Sequence, residues 1–89
     1  MSVAFGPNKK KSKLIELIED PDTDLQDLLD TIIHSTSQEK SDALVVAARL
    51  ADHTGVDYLL RYRAKVTDEA LQAARGRDEG IYEQLRAAY

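Results

Sequence analysis

The apolar residues between positions 25 and 33 recur with the period of an α-helix. They occupy positions i, i+3, i+4, i+7 and i+8 of this segment, as Leu25, Leu28, Leu29, Ile32 and Ile33. A helix with this pattern has one apolar stripe that must pack against another element. No segment of the chain alternates apolar and polar residues with the period of two that is typical of a half-buried strand. The sequence therefore predicts an all-α fold.

The length and the breaks in this periodicity predict one small domain. A chain of 89 residues has room for a single domain. Turn-forming residues divide it into about five to six short helices. We therefore expect residues 12–89 to form one irregular or orthogonal helical bundle. Residues 1–11, with the break Gly6-Pro7-Asn8 and a run of lysines, are expected to form a flexible basic N-terminal arm.

Residues 38–54 are predicted to form the central helix, because their apolar arc is the widest in the chain. We expect Leu44, Ala47 and Leu50 to lie in the core. Gly55 is the expected stop at the C-terminal end of this helix. His53 is expected to interact there with the negative end of the helix dipole.

Capping residues precede several of the predicted helices. Thr36 and Glu39 have the spacing of a capping box, in which each side chain bonds to the other residue's backbone N–H. The other expected start signals are Asp22 or Thr23 for the second helix, Thr67 for the fifth, and Asp78 or Glu79 for the last. These residue types satisfy backbone donors that a helix leaves unpaired in its first turn.

Composition excludes several classes of protein. The chain contains no cysteine, so it has no disulfide, thiolate metal site or cysteine nucleophile. No apolar run approaches the roughly 20 residues that a membrane-spanning helix needs. The first residues also lack the basic start and apolar segment of a signal peptide. We therefore expect a cytoplasmic protein without membrane association.

Catalysis, metal binding and a cofactor are not predicted. Asp20, Asp22 and Asp24 match the first ligand positions of a calcium-binding EF-hand loop, but Leu25 stands where that loop requires glycine. His34 and His53 have no ligand-type partner at helical spacing, and the chain has no glycine-rich phosphate loop or nucleophile elbow. We therefore expect neither an enzyme nor a metalloprotein.

Charge is distributed unevenly along the chain. Between Leu14 and Glu39 there are eight acidic residues and no lysine or arginine. Asp24, Asp27 and Asp30 form a candidate acidic face on the second helix. This face is an alternative binding surface, and it also suggests an acidic decoy whose carboxylates mimic phosphates in a basic site.

The fourth helix carries the preferred candidate surface, formed by Tyr58, Arg61, Tyr62 and Lys65. Tyrosine and arginine are enriched among residues that dominate protein–protein binding energy. The leading interpretation is a non-catalytic interaction module, such as an adaptor, regulator or inhibitor, whose partner is another protein. Opposite charges on one small body also permit head-to-tail self-association.

Residues 47–65 support an alternative function. The segment Leu50–Asp57 resembles the core of a helix-turn-helix, with Ala51 four residues before Gly55 and Val56 after the turn. This resemblance implies a nucleic-acid-binding regulator whose second helix enters a groove and presents Arg61 and Lys65. The net charge of −4 favours a protein partner over nucleic acid.

Overall fold

Six helices form the regular structure of residues 12–89, the part of the chain that this computed structural model describes. They are α1 (Lys13–Glu19), α2 (Leu25–Ile33), α3 (Ser37–Arg49), α4 (His53–Arg61), α5 (Asp68–Ala74) and α6 (Glu79–Ala88). The predicted all-α class is confirmed, since residues 12–89 contain no strand. The expected arm at residues 1–11 lies outside the described residues.

Helix α3 is the centre of the bundle, as predicted. It packs against α1, α4 and α5, and Ala43, Leu44, Ala47 and Ala48 are fully buried on it. The largest fully buried side chains outside α3 come from four other helices and are Leu14, Ile32, Val56, Leu59, Ile81 and Leu85. None of these helices, within the described chain, is both long and apolar enough to cross a membrane.

Side chains cap five of the six helices at their N-terminal ends. Ser12, Thr36, Asp52, Thr67 and Asp78 each accept a hydrogen bond from a backbone N–H in the first turn of the helix that follows. The predicted capping box is present at α3: the Thr36 Oγ1 accepts from the Glu39 N–H (3.1 Å), and the Glu39 Oε1 accepts from the Thr36 N–H (2.8 Å). These bonds satisfy orphan donors and fix where each helix begins.

Helix α2 begins later than predicted. Its cap position is Asp24, whose side chain makes no capping hydrogen bond, so the expected caps Asp22 and Thr23 are wrong. The Thr23 hydroxyl instead donates to the Leu17 carbonyl oxygen (2.7 Å). This bond satisfies a carbonyl at the C-terminal end of α1 and ties the α1–α2 connection to that helix.

Helix α3 ends at Arg49, five residues before the predicted end, and the predicted stop at Gly55 is wrong. Ala51 adopts a left-handed conformation (φ 57°), and the Asp52 N–H donates to the Ala47 carbonyl oxygen (2.9 Å). This is a Schellman motif, in which the left-handed residue is usually glycine. Leu50 therefore lies just past the helix and is 51% exposed, so its predicted core position is also wrong.

Gly55 lies instead in the first turn of α4, where its N–H donates to the Asp52 Oδ1 (3.0 Å). A Cβ atom on Gly55 would lie 2.6 Å from the Asp52 Oδ2 and 3.5 Å from the Ala47 Cβ. Glycine thus allows the capping carboxylate to approach while α3 and α4 cross closely. His53 is the first residue of α4, at the positive end of that helix, so its expected role at a C-terminus is wrong.

Two side chains link helices that are distant in sequence. The Lys40 Nζ donates to the Tyr62 carbonyl oxygen (3.1 Å), which joins the start of α3 to the end of α4. The His53 Nε2 lies 2.6 Å from the Asp78 Oδ2, which joins the N-terminal ends of α4 and α6. These contacts hold both ends of α4 against the bundle.

Candidate functional site

An open cleft lies between the α1–α2 connection and the α3–α4 turn. Four leucines line it, namely Leu17, Leu25, Leu28 and Leu50, and we call it the leucine cleft. Leu28 is buried and Leu17 half-buried, whereas Leu25 is 43% and Leu50 51% exposed. Two half-exposed leucines in one cleft form an apolar surface that would gain free energy from being covered.

Acidic residues surround this apolar floor. Glu19, Asp20 and Asp52 line the leucine cleft, and no lysine or arginine is among its described lining residues. Two of the carboxylates are oriented by backbone donors, since Asp20 accepts from the Asp22 N–H (2.9 Å) and Asp52 caps α4. The cleft therefore combines an apolar floor with a negative rim.

A second groove continues from the leucine cleft towards α4. Leu25 lines both, and the second groove is further lined by His53, Asp57, Tyr58 and Gln84. Leu25 thus stands at the junction between the two depressions. The leucine cleft and the groove beside Tyr58 therefore form one continuous surface.

The structure brings together two of the four predicted binding residues. The Arg61 guanidinium carbon lies 5.4 Å from the centroid of the Tyr58 ring, a cation–π geometry. The Arg61 Nε also lies 3.7 Å from the Asp57 Oδ2. Tyr58 is half-buried and Arg61 exposed, so the guanidinium is held over the ring at the surface.

Tyr62 and Lys65 do not share a helix face with Tyr58 as predicted, because α4 ends at Arg61. Tyr62 is the C-terminal cap of α4, half-buried and packed against the core. Lys65 is exposed in the connection 62–67. The predicted surface is therefore divided between a helix and the loop that follows it.

The alternative acidic face is exposed in the structure. Asp24 precedes α2, and Asp27 and Asp30 lie on it, each with an exposed side chain. Asp30 is near His34, whose Nδ1 lies 3.8 Å from the Asp30 Oδ1. The neighbouring Leu28 and Ile32 are buried, whereas Leu25 and Ile33, at the two ends of the same helix, are exposed.

His53 contacts Asp78, the residue whose carboxylate caps α6. The pKa of Asp78 is lowered, mainly by the hydrogen bond from the Ile81 backbone N–H and then by the bond to His53. Both contacts favour the ionised carboxylate that caps α6.

Residues 12–89 contain no group of three or more ligating side chains that would hold a metal ion.

The sequence pattern does not distinguish Leu25 and Leu50, the exposed residues of the leucine cleft, from core residues, because both fit the helical periodicity of the core. Leu25 is the first residue of α2, and Leu50 follows the last residue of α3. A side chain at a helix terminus can extend beyond the helices packed against its apolar face. The position of Leu25 at the start of α2 could be predicted from the sequence, whereas that of Leu50 could not, because the predicted helix 38–54 extends beyond it.

Comparison with known proteins does not assign the chain to a family. No protein-family model matches the chain, and no curated protein or solved structure matches it at a significant level. The chemistry of the chain's own surfaces is therefore the basis for a functional proposal.

Proposed function

We propose that this protein is a non-catalytic protein–protein interaction module, an adaptor, regulator or inhibitor, that binds its partner through the leucine cleft. The observation that carries the proposal is the exposure of Leu25 and Leu50 in one cleft, at 43% and 51%. Covering the exposed half of each leucine contributes about 1 kcal/mol. The two together supply an apolar anchor of the kind found at the centre of protein interfaces.

The acidic rim indicates the chemistry of the partner. Asp20 and Asp52 favour a partner segment that places apolar side chains on the floor and lysine or arginine at the edges. The same two charges disfavour an acidic segment. We therefore propose an apolar and basic segment of another protein as the occupant of the cleft.

Tyr58 and Arg61 extend this surface. Leu25 connects the leucine cleft to the groove lined by Tyr58, and Arg61 lies over the Tyr58 ring. A tyrosine provides a large apolar area with a polar tip, and an arginine provides a fixed fork of donors. This pair is the proposed second contact region, adjacent to the leucine anchor.

Affinity capture with matched variants tests the proposal. The wild-type chain, a Leu25→Gln and Leu50→Gln double variant, and Ile33→Gln are used as baits for a lysate of the source organism. Ile33 is the matched control, because it is 55% exposed but lies outside the leucine cleft. Proteins retained by the wild type and by Ile33→Gln should be lost from the double variant.

Two outcomes would contradict this assignment. If the double variant retains the same proteins, the leucine cleft is not the binding surface. If instead the wild type sediments as a dimer and the double variant as a monomer, the occupant is a second copy of the chain. A nucleic-acid-binding function is distinguished by salt, since phosphate contacts weaken steeply with ionic strength and an apolar interface weakens little.

A further inference from the structure

A further depression lies at the C-terminal ends of α3 and α5. It is open, has a volume of about 660 Å³, and is lined by Arg49, Gln72, Ala73, Arg75, Gly76 and Arg77. We call it the arginine depression, after Arg49, Arg75 and Arg77. It shares no lining residue with the leucine cleft, so it is a separate surface of the molecule.

The three arginines are not neutralised by neighbouring carboxylates. All three are exposed, and none forms an ion pair with any residue of the described range 12–89. The acidic residue next in sequence, Asp78, is already engaged, because it accepts from the Ile81 N–H (3.0 Å) and contacts His53. Three positive charges therefore converge on one depression without a counter-charge in its lining.

Attraction to the negative end of a helix dipole explains the position of some of these arginines but not of all three. Arg49 occupies the last turn of α3, where a cation is favoured by the negative end of the dipole. Arg75 and Arg77 lie beyond Ala74, the last residue of α5. The dipole's influence is confined to about the last turn of a helix, so it does not explain Arg77.

The backbone adds a further donor. Gly76 has a φ of 77°, and no described atom outside residues 75–77 lies within 4 Å of the position its Cβ would take. Its amide has no intramolecular acceptor among residues 12–89. The depression is thus lined by three guanidinium groups and by a residue whose backbone N–H has no acceptor among residues 12–89. Both kinds of donor suit an acceptor-rich, negatively charged ligand.

We propose that the arginine depression binds a small, multiply charged phosphate anion, such as a diphosphate group. A guanidinium presents parallel N–H donors that match two oxygens of a phosphate, and three such groups need more acceptor oxygens than one carboxylate offers. The net charge of −4 does not prevent this binding. At physiological ionic strength, exposed acids further away than about 8 Å are largely screened.

Titration of the 89-residue chain with sodium pyrophosphate, followed by amide NMR, tests the proposal. Sodium chloride at equal ionic strength is the comparison. The Gly76 and Gln72 resonances should shift and saturate with pyrophosphate only. Arg75→Gln and Arg77→Gln should each weaken binding by about fivefold or more, since each removes charge-assisted hydrogen bonds. Arg75→Lys keeps the charge but loses the fork, and it should cause a smaller loss.

Arg86→Gln is the matched control, because it removes one exposed arginine that lies outside the depression and beside Glu83. It should change the affinity by less than about twofold, as expected for long-range screened charge. Equal losses for Arg86→Gln and Arg77→Gln would overturn the proposal, because net charge alone would then explain binding. Unsaturable shifts, or unchanged affinity in Arg75→Gln and Arg77→Gln, would also overturn it. Saturable binding of duplex DNA without saturable binding of pyrophosphate would contradict the small-anion assignment.

Discussion

Two helices end on a left-handed residue that is not glycine. Ala51 follows α3 with a φ of 57°, and Arg63 follows α4 with a φ of 67°. In both cases the next N–H donates to a carbonyl five residues earlier, from Asp52 to Ala47 and from Ala64 to Leu59. A left-handed conformation costs an L-residue about 1–2 kcal/mol, so both turns store strain that the surrounding hydrogen bonds offset.

Arg63→Gly should raise the free energy of unfolding by about 0.5–1 kcal/mol, because relief of the strain exceeds the extra entropy of glycine in the unfolded chain. Arg61→Gly is the matched control, since Arg61 is the last helical residue of α4. It should lower the free energy of unfolding by about the same amount. Urea denaturation of both variants measures the difference. A loss of stability in Arg63→Gly would contradict the strain account.

The lowered pKa of Asp78 predicts a stability that depends on pH. Because this pKa is lower in the folded than in the unfolded state, the ionised carboxylate stabilises the fold above the unfolded pKa of about 3.9. That contribution is lost as the pH falls below about 4, through the folded pKa. Asp78→Asn keeps a capping oxygen but has no charge. Its stability deficit, measured by urea denaturation from pH 7 to 3, should shrink on acidification, and a constant deficit would contradict this account.

At the scale of elements, the middle of α3 contributes buried residues to the core, whereas the residue that follows its C-terminal end is exposed. Leu44 is fully buried, whereas Leu50 is 51% exposed. Leu44→Ala should therefore lower the free energy of unfolding by about 2–5 kcal/mol. Leu50→Ala should lower it by less than about 1 kcal/mol, because little burial is lost. Equal losses, measured by thermal or urea denaturation, would show that Leu50 is covered by the fold.

Local signals predicted which segments are helical, but not where α3 ends. The Thr36–Glu39 capping box and the central position of α3 could both be derived from spacing alone. The apolar periodicity, however, continues through Leu50 and Ala51, so it does not indicate that a turn begins after Arg49. The usual mark of a Schellman turn is glycine at the left-handed position, and here that position is alanine. A prediction based on glycine therefore places the end of this helix at Gly55, which in fact lies in α4.

At the scale of the whole molecule, an apolar cleft with acidic residues and a depression with basic residues lie on separate surfaces of one small domain. The leucine cleft has an acidic rim, and the arginine depression has no acidic lining residue among those described. The sequence predicted uneven charge, and it identified Tyr58 and Arg61 as surface residues. It did not predict that Leu25 and Leu50 share a cleft, because this pairing depends on how the fold places the start of α2 opposite the α3–α4 turn.

Methyl NMR of the 89-residue chain, titrated with the captured partner, tests the proposed binding surface most directly. The Leu25 and Leu50 methyl resonances should shift or broaden on binding. The Ile33 methyl resonances should not change, although this side chain is 55% exposed. Perturbation confined to the amides of the acidic face (Asp24, Asp27 and Asp30) or to those of Arg63 and Lys65, with unchanged leucine methyls, would contradict the proposal that the leucine cleft binds the partner.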